Sequence, residues 1–399
     1  MKRTLKLALG YSVHSLFPIV SWFLWGVLID QDYVSVFTLT YSFQFIWAML
    51  IDIYGYGAET YASLNKDRKR DIALSGVIYG IFALVIVFSI AEIFSVQYMN
   101  LLGYGDIKLL GACRYSLLAL CLSGITSLLS IYCNFKEDYT KGSKILVEYN
   151  VVTYVSLVVC LFITRNNTAS ILVSGGLSVT FVTCNIVEIV GRDLKDFKRT
   201  KVVKSACKYV LGELAADFGL LFTYVFGISN VVSNNAELVI TYSIWLQVMD
   251  WIWDAQGGIT PTMVRIDASN DKFDYKASAK NLFKLDLIFC VIVGLELVIA
   301  SVFYKIHWGY LLIFALLDIA DLFIHIFNSI NNNYLSTMGE SKKVMNIQIV
   351  GYILRVFVTL IIPTAVGTYI AQLSTGVVKT IWNSVLYKKK RSELSLENA

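Results

Sequence analysis

The chain has 399 residues, 56% of them hydrophobic and only 16% charged, with a mean hydropathy of +0.63. A soluble domain carries about 25% charged residues, so this chain has too little polar surface to cover a water-soluble globule. Its net charge of +5 sits in short loops between apolar blocks, which marks topology and argues against a nucleic-acid partner.

The apolar blocks run to about twenty residues, the length a helix needs to cross a hydrocarbon core of roughly 30 Å. In chain order, helices are predicted at 5–29, 33–56, 72–98, 107–133, 145–164, 169–190, 205–229, 236–259, 281–303, 308–333, 345–363 and 366–387. The basic start, Met1-Lys2-Arg3, resembles a signal peptide, but no small-residue cleavage site follows, so the first block reads as an uncleaved helix. With the N-terminus inside, 28 of the 34 Lys and Arg residues fall on the cytoplasmic side. The outer loops hold only Lys108, Arg165 and Lys305, while Arg114, Arg355 and Lys379 fall within helices. This alternation predicts an even number of helices with both termini cytoplasmic, in the cell inner membrane. The seven cysteines show no CxxC pair and read as small buried apolar residues.

Shifting the chain by 201 residues lays Thr40-Tyr41-Ser42 on Thr241-Tyr242-Ser243 and Gly57 on Gly258. A shift of 198 lays Asn134 on Asn332, again after corresponding helices. The expected fold class is therefore an all-α integral membrane protein of about twelve transmembrane helices, built as two parallel-repeat six-helix bundles. The bundles span 1–200 and 201–389, and 390–399 reads as a disordered cytoplasmic tail.

Several segments resemble the superfamily of multidrug and toxin extrusion (MATE) transporters and lipid-linked oligosaccharide flippases. Asp32 through Gly55-Tyr56-Gly57-Ala58-Glu59 is similar to the family's second helix with its Gly-rich turn. Met338-Gly339-Glu340-Ser341-Lys342-Lys343 resembles the turn after helix ten, and Arg265 through Lys280 stands where the basic loop after helix eight should be. Pro18 matches first helices of the extrusion family, but no acid follows it within the helix, and the short length also suits the flippases.

Carboxylates in mid-membrane are expensive and point to function. Glu213 and Asp217 lie four residues apart on one face of helix seven, and Asp318, Asp321 and His325 form a stripe on helix ten. The resemblance implies that acids on these two helices form a cation site, so the coupling ion is expected to be sodium or a proton, with no other cofactor. On helix eight, Gln247, Asp250 and Trp251 put negative charge beside aromatic surface, suited to an amphipathic organic cation. Tyr41 and Tyr242, equivalent under the repeat, complete the expected substrate contacts. Near the outer end of helix four, Arg114 reads as a snorkelling side chain, and His14 on helix one as a packed polar residue.

No GxxxxGK[ST] loop is present to bind nucleotide, and no HExxH or Cys/His cluster suggests zinc or enzyme chemistry. The first expectation is a monomeric secondary-active exporter, in which sodium or proton entry drives efflux of organic cations by alternating access. The alternative is a flippase for lipid-linked glycan. A flippase should offer basic residues to hold pyrophosphate, and the scarcity of these within the helices ranks efflux first.

Overall fold

The computed structural model describes residues 17–397 apart from 106, 137, 209 and 270–272. Helix is the regular structure throughout, with no strand among the described residues. A lipid-facing backbone must satisfy its N–H and C=O groups internally, and helices do this within a single segment.

Each predicted range is largely helical where described. We number these helices α1 (Phe17–Leu28), α2 (Gln31–Thr40 and Ser42–Gly57, bent by 42°), α3 (Lys69–Ile93), α4 (Ile107–Cys133), α5 (Lys144–Thr164) and α6 (Asn167–Asp193). There follow α7 (Leu211–Asn234), α8 (Val239–Ser269), α9 (Tyr275–Phe303), α10 (Trp308–Thr337), α11 (Ser341–Ile361) and α12 (Ala365–Glu397). Among the described residues, eight of them are long and apolar enough to cross a membrane, or nine with the bent α2. Neither α8 nor α12 meets that measure, because each carries its polar residues inward: Thr241, Ser243, Gln247 and Asp250 are buried on α8, and Thr368, Gln372, Thr375, Lys379 and Asn383 on α12. A helix surrounded by protein need not be apolar.

Three expected boundaries are corrected. α2 does not end in a Gly-rich turn; the chain stays helical through a π turn at Asp52–Gly57 and an α-helix at Ala58–Leu64. The glycines serve packing instead: a Cβ on Gly57 would lie 2.8 Å from the Ala206 carbonyl oxygen, and one on Gly76 of α3 would lie 2.6 Å from Ala58 Cβ. α8 runs through Pro261 to Ser269, so much of the expected basic loop is helical. α12 continues to Glu397, so most of the expected disordered tail is helix, held where Lys390 reaches Glu340 at 3.4 Å. The turn before α11 does form, with Gly339 at φ +82°, a conformation that glycine adopts without steric cost. His14 and the start of helix one lie outside the described residues.

The chain divides into two compact units, and the division falls inside α7, between Leu221 and Phe222. In the first, α4 is the central helix: 83% of its apolar window is buried, against 28–50% for the other spans. It packs on α2, α3, α5 and α6 around Leu84, Phe88, Leu122, Ile125, Leu128 and Tyr132. Alternate loops meet at opposite ends of this unit. Lys108 pairs with Asp30 and Arg165 donates to the Leu28 carbonyl at one end, while Lys136 pairs with Asp193 and Lys141 with Glu188 at the other.

The second unit is organised by α12, which packs against α10 and α11, while α10 also packs on α8 and α9. Its loops alternate too. Asn234 donates to the Pro363 carbonyl and the His307 N–H donates to Thr241 at one end, and Glu340 pairs with Lys343 and Lys390 at the other.

Candidate functional site

Asp318 and Asp321 of α10 are 3% and 5% exposed, as the stripe argument requires, but they are not an isolated acidic patch. Arg355 of α11 and Lys379 of α12, each 7% exposed, are buried with them. A line of hydrogen bonds fixes Asp318: the Trp245 indole donates to Oδ2 at 3.0 Å, and the Gln372 amide donates to Oδ1 at 2.7 Å. The Gln372 carbonyl oxygen then accepts from Arg355 Nη2 at 2.9 Å. Both oxygens of Asp318 are thereby satisfied by residues from α8 and α12.

Asp321 is held differently. Its Oδ1 is buried without a hydrogen-bond partner among the described residues, and the cations that act on it electrostatically are Arg355 and Lys379. The carboxylate lies so close to α12 that a Cβ on Gly376 would come within 1.8 Å of Oδ1. Lys379 Nζ donates to Gln348 Oε1 at 3.1 Å and lies 4.3 Å from the centre of the Tyr352 ring. Gly351 makes room for the lysine stem, since a Cβ there would lie 2.7 Å from its Cγ and Cδ.

Lower polar pairs continue the seam between α10 and α12. Asn383 donates to Asn328 at 2.7 Å and to Asn332 at 2.9 Å, and Asn331 donates to Ser384 at 2.9 Å. Arg355 acts on both carboxylates and Lys379 on Asp321, so much of their charge is offset. Beside the expected Asp318, Asp321 and His325 the structure therefore adds two basic residues, so that negative charge on α10 is offset within the chain, as buried charges require.

Above the seam lies a small cavity lined by Thr223, Tyr224, Tyr242, Arg355, Tyr369 and Gln372, with room for about one water molecule. Arg355 Nε and the Tyr369 hydroxyl are buried without partners among the described residues. Arg355 also stacks over Tyr224 at 5.4 Å. Of the expected substrate contacts, Tyr242 lines this cavity and packs on Phe314 and Tyr369. Gln247, Asp250 and Trp251 are buried in the α8 packing, where the Trp251 indole donates to Glu296 at 3.2 Å. His325 packs edge-on against Trp253, with ring centres 5.1 Å apart.

Tyr41 is buried in the first unit beside Phe37 and Phe45. Glu213 and Asp217 fall in that unit as well, where the acids that act on Asp217 are Asp52 and Glu213. Asp217 Oδ2 is buried there without a hydrogen-bond partner among the described residues. Arg114 is exposed, bonded to Ser95 at 3.0 Å with Glu92 at 3.9 Å.

Sequence reasoning missed the participation of Arg355, Lys379, Gln372 and Gln348, and the buried pair Gln256–Asp286. One signal was present: Thr368, Gln372, Thr375, Lys379 and Asn383 recur at spacings of three and four along α12.

No protein-family model matches the chain, and no curated protein does. Solved structures match along nearly its whole length. An outward-facing multidrug resistance MATE family transporter of the MOP superfamily aligns with a TM-score of 0.70 over 98% of this chain and 96% of its own. An inward-facing form aligns at 0.68 over 97% and 98%, both at 13% identity. A MOP superfamily transporter from Pyrococcus furiosus, described as having a binding pocket of reverse polarity that suggests a different function, aligns at 0.69 over 96% and 95%, also at 13% identity. This chain has the fold of the MATE transporters, a multi-pass helical membrane architecture.

Proposed function

We propose that the protein is a secondary-active transporter working by alternating access, with ion coupling through the charged seam of α10, α11 and α12. The likeness to both inward- and outward-facing transporters supports this reading, because the same fold is compatible with two states of access. By its loop charges it sits in the cell inner membrane with both termini cytoplasmic.

For cargo we favour a lipid-linked glycan over an organic cation. Efflux ranked first on an apparent excess of acids over bases inside the membrane, and Arg355 and Lys379 cancel that excess at Asp318 and Asp321. The observation that carries the cargo reading is Arg355: a buried guanidinium with a spare Nε donor, beside the spare Tyr369 hydroxyl on one cavity. A planar guanidinium is suited to phosphate oxygens. As it stands the cavity is too small for a phosphate, so loading would require Tyr224 and Tyr369 to part. Efflux of an amphipathic cation remains a second reading, favoured by the buried Asp250 beside Trp251.

Proteoliposomes test both. Under an imposed ion gradient, a fluorescent lipid-linked oligosaccharide should cross the bilayer, and Arg355→Gln should abolish the crossing while the protein stays folded. Gradient-driven efflux of cationic dyes with no movement of the lipid-linked sugar would return the exporter to first place.

A further inference from the structure

We propose that Lys379 is a resident cation: its tethered ammonium supplies to Asp321 the positive charge that a diffusible sodium ion would otherwise bring. The second-half bundle then excludes sodium and leaves the proton as its coupling ion. The coupling clause rests on the transport reading above; sodium exclusion does not.

The starting point is the combination of a buried carboxylate with an orphan oxygen and a buried lysine built to stay near it. Asp321 Oδ1 has no hydrogen-bond partner among the described residues, and such an oxygen calls for a proton or a cation. Lys379 is the nearest tethered source of positive charge on α12, one turn beyond Gly376, which is the residue that lets Asp321 approach that helix. Three features hold the lysine there: the Gln348 carbonyl at 3.1 Å, the face of the Tyr352 ring at 4.3 Å, and the groove that Gly351 leaves for its stem. Cation–π contact gains strength when the cation is desolvated, as it is here.

Charge and ligand supply then decide between ions. The groups that act on Asp321 are Arg355 of α11 with Lys379 and Gln372 of α12; Asp321 acts in turn on Asp318, beyond which lie Trp245 of α8 and Tyr224 of α7, the latter also reached by Asp250 of α8, while His325 and Tyr352 lie by Lys379. Arg355 and Lys379 already offset the charge of Asp321, so sodium would have to enter against two resident cations. Sodium is a hard cation that wants several oxygens, and those near Asp321 Oδ1 already accept hydrogen bonds: both of Asp318 from Trp245 and Gln372, and Gln348 Oε1 from Lys379. A proton needs one oxygen, and Asp321 Oδ1 supplies it. Protonation removes a negative charge from the cluster, which loosens the hold on Lys379 and Arg355 and gives the two states of the seam different energies.

The test is direct binding of radioactive sodium to the purified full-length protein, read by scintillation proximity. Wild type should show no saturable binding that Asp321→Asn removes. Lys379→Gln and Lys379→Met should gain saturable binding, Lys379→Arg should not, and Asp321→Asn placed in the Lys379→Gln background should abolish the gain. Sodium binding by wild type that depends on Asp321 would overturn the proposal, as would folded Lys379→Gln and Lys379→Met proteins that bind none. If neither neutral variant folds, the wild-type comparison with Asp321→Asn still decides. Because no cargo enters this assay, a failed lipid-linked sugar experiment with sodium results as expected would sink the cargo reading alone.

Discussion

The closest approach in the seam offers a sharp test of whether Asp321 is positioned for a task. Gly376→Ala would place a methyl carbon 1.8 Å from Asp321 Oδ1 and 3.0 Å from its Cγ. Nonbonded heavy atoms rest at roughly 3.5 Å, so the carboxylate must retreat by well over an ångström or α12 must move. Overpacking of this kind costs about 1–3 kcal/mol. The obstacle is the end of a short side chain, so the carboxylate yields more readily than the backbone, and retreat alters its interaction with Arg355 and Lys379. Transport should therefore fall by far more than the loss of stability explains. Thermal unfolding in detergent and gradient-driven transport would be measured for Gly376→Ala, Asp321→Ala and the double variant. The methyl should destabilise the parent yet be nearly neutral in the Asp321→Ala background, a coupling beyond the roughly 0.5 kcal/mol of ordinary non-additivity. Equal costs in both backgrounds, or full transport in Gly376→Ala, would refute the reasoning.

Three further outcomes are expected. Gly57→Ala meets rigid backbone, the Ala206 carbonyl oxygen at 2.8 Å and that of Asp52 at 3.0 Å, so it should lower the melting temperature by an overpacking cost of about 1–3 kcal/mol; an unchanged melt would contradict the packing of α2. Arg355→Met strands two buried acids with one cation and should cost about 3–5 kcal/mol, with wild-type stability as the refuting result. At the turn before α11, the hydrogen bond from Lys343 to Glu340 holds that carboxyl below its ordinary value of 4.5, helped by Lys390. A depressed folded-state value means stabilisation present above about pH 4.5 and lost as pH falls through the folded value, so acid sensitivity of the melt in that range should diminish in Lys343→Met.

What could be read from the sequence divides by whether one helix carries the information. The helical positions follow from block length, and the burial of Asp318 and Asp321 follows from their spacing on α10, because a membrane makes both properties local to a segment. The π turn at Asp52–Gly57 and the passage of α8 through Pro261 escaped, since glycine and proline there read locally as helix breakers. Charge pairing escaped for the same reason. Asp318 meets Trp245 of α8 and Gln372 of α12 across separations of 73 and 54 residues, and no periodicity within α10 reports on either.

That difference changes what a membrane carboxylate implies. Read alone, two acids on α10 are an unmet demand for a cation, and sodium or a proton is the natural supplier. Read with α11 and α12, the demand is met within the chain, at the cost of desolvating two basic side chains as well. Such an arrangement gains little stability over an apolar core, because the desolvation of four charges offsets most of their attraction. Its distinctive property is that its balance can be tipped by a single proton, while a neutral apolar seam could not respond at all. A transporter driven by a gradient needs such a sensitive element, which is why the cancellation of charge at Asp321 strengthens the case for coupling there.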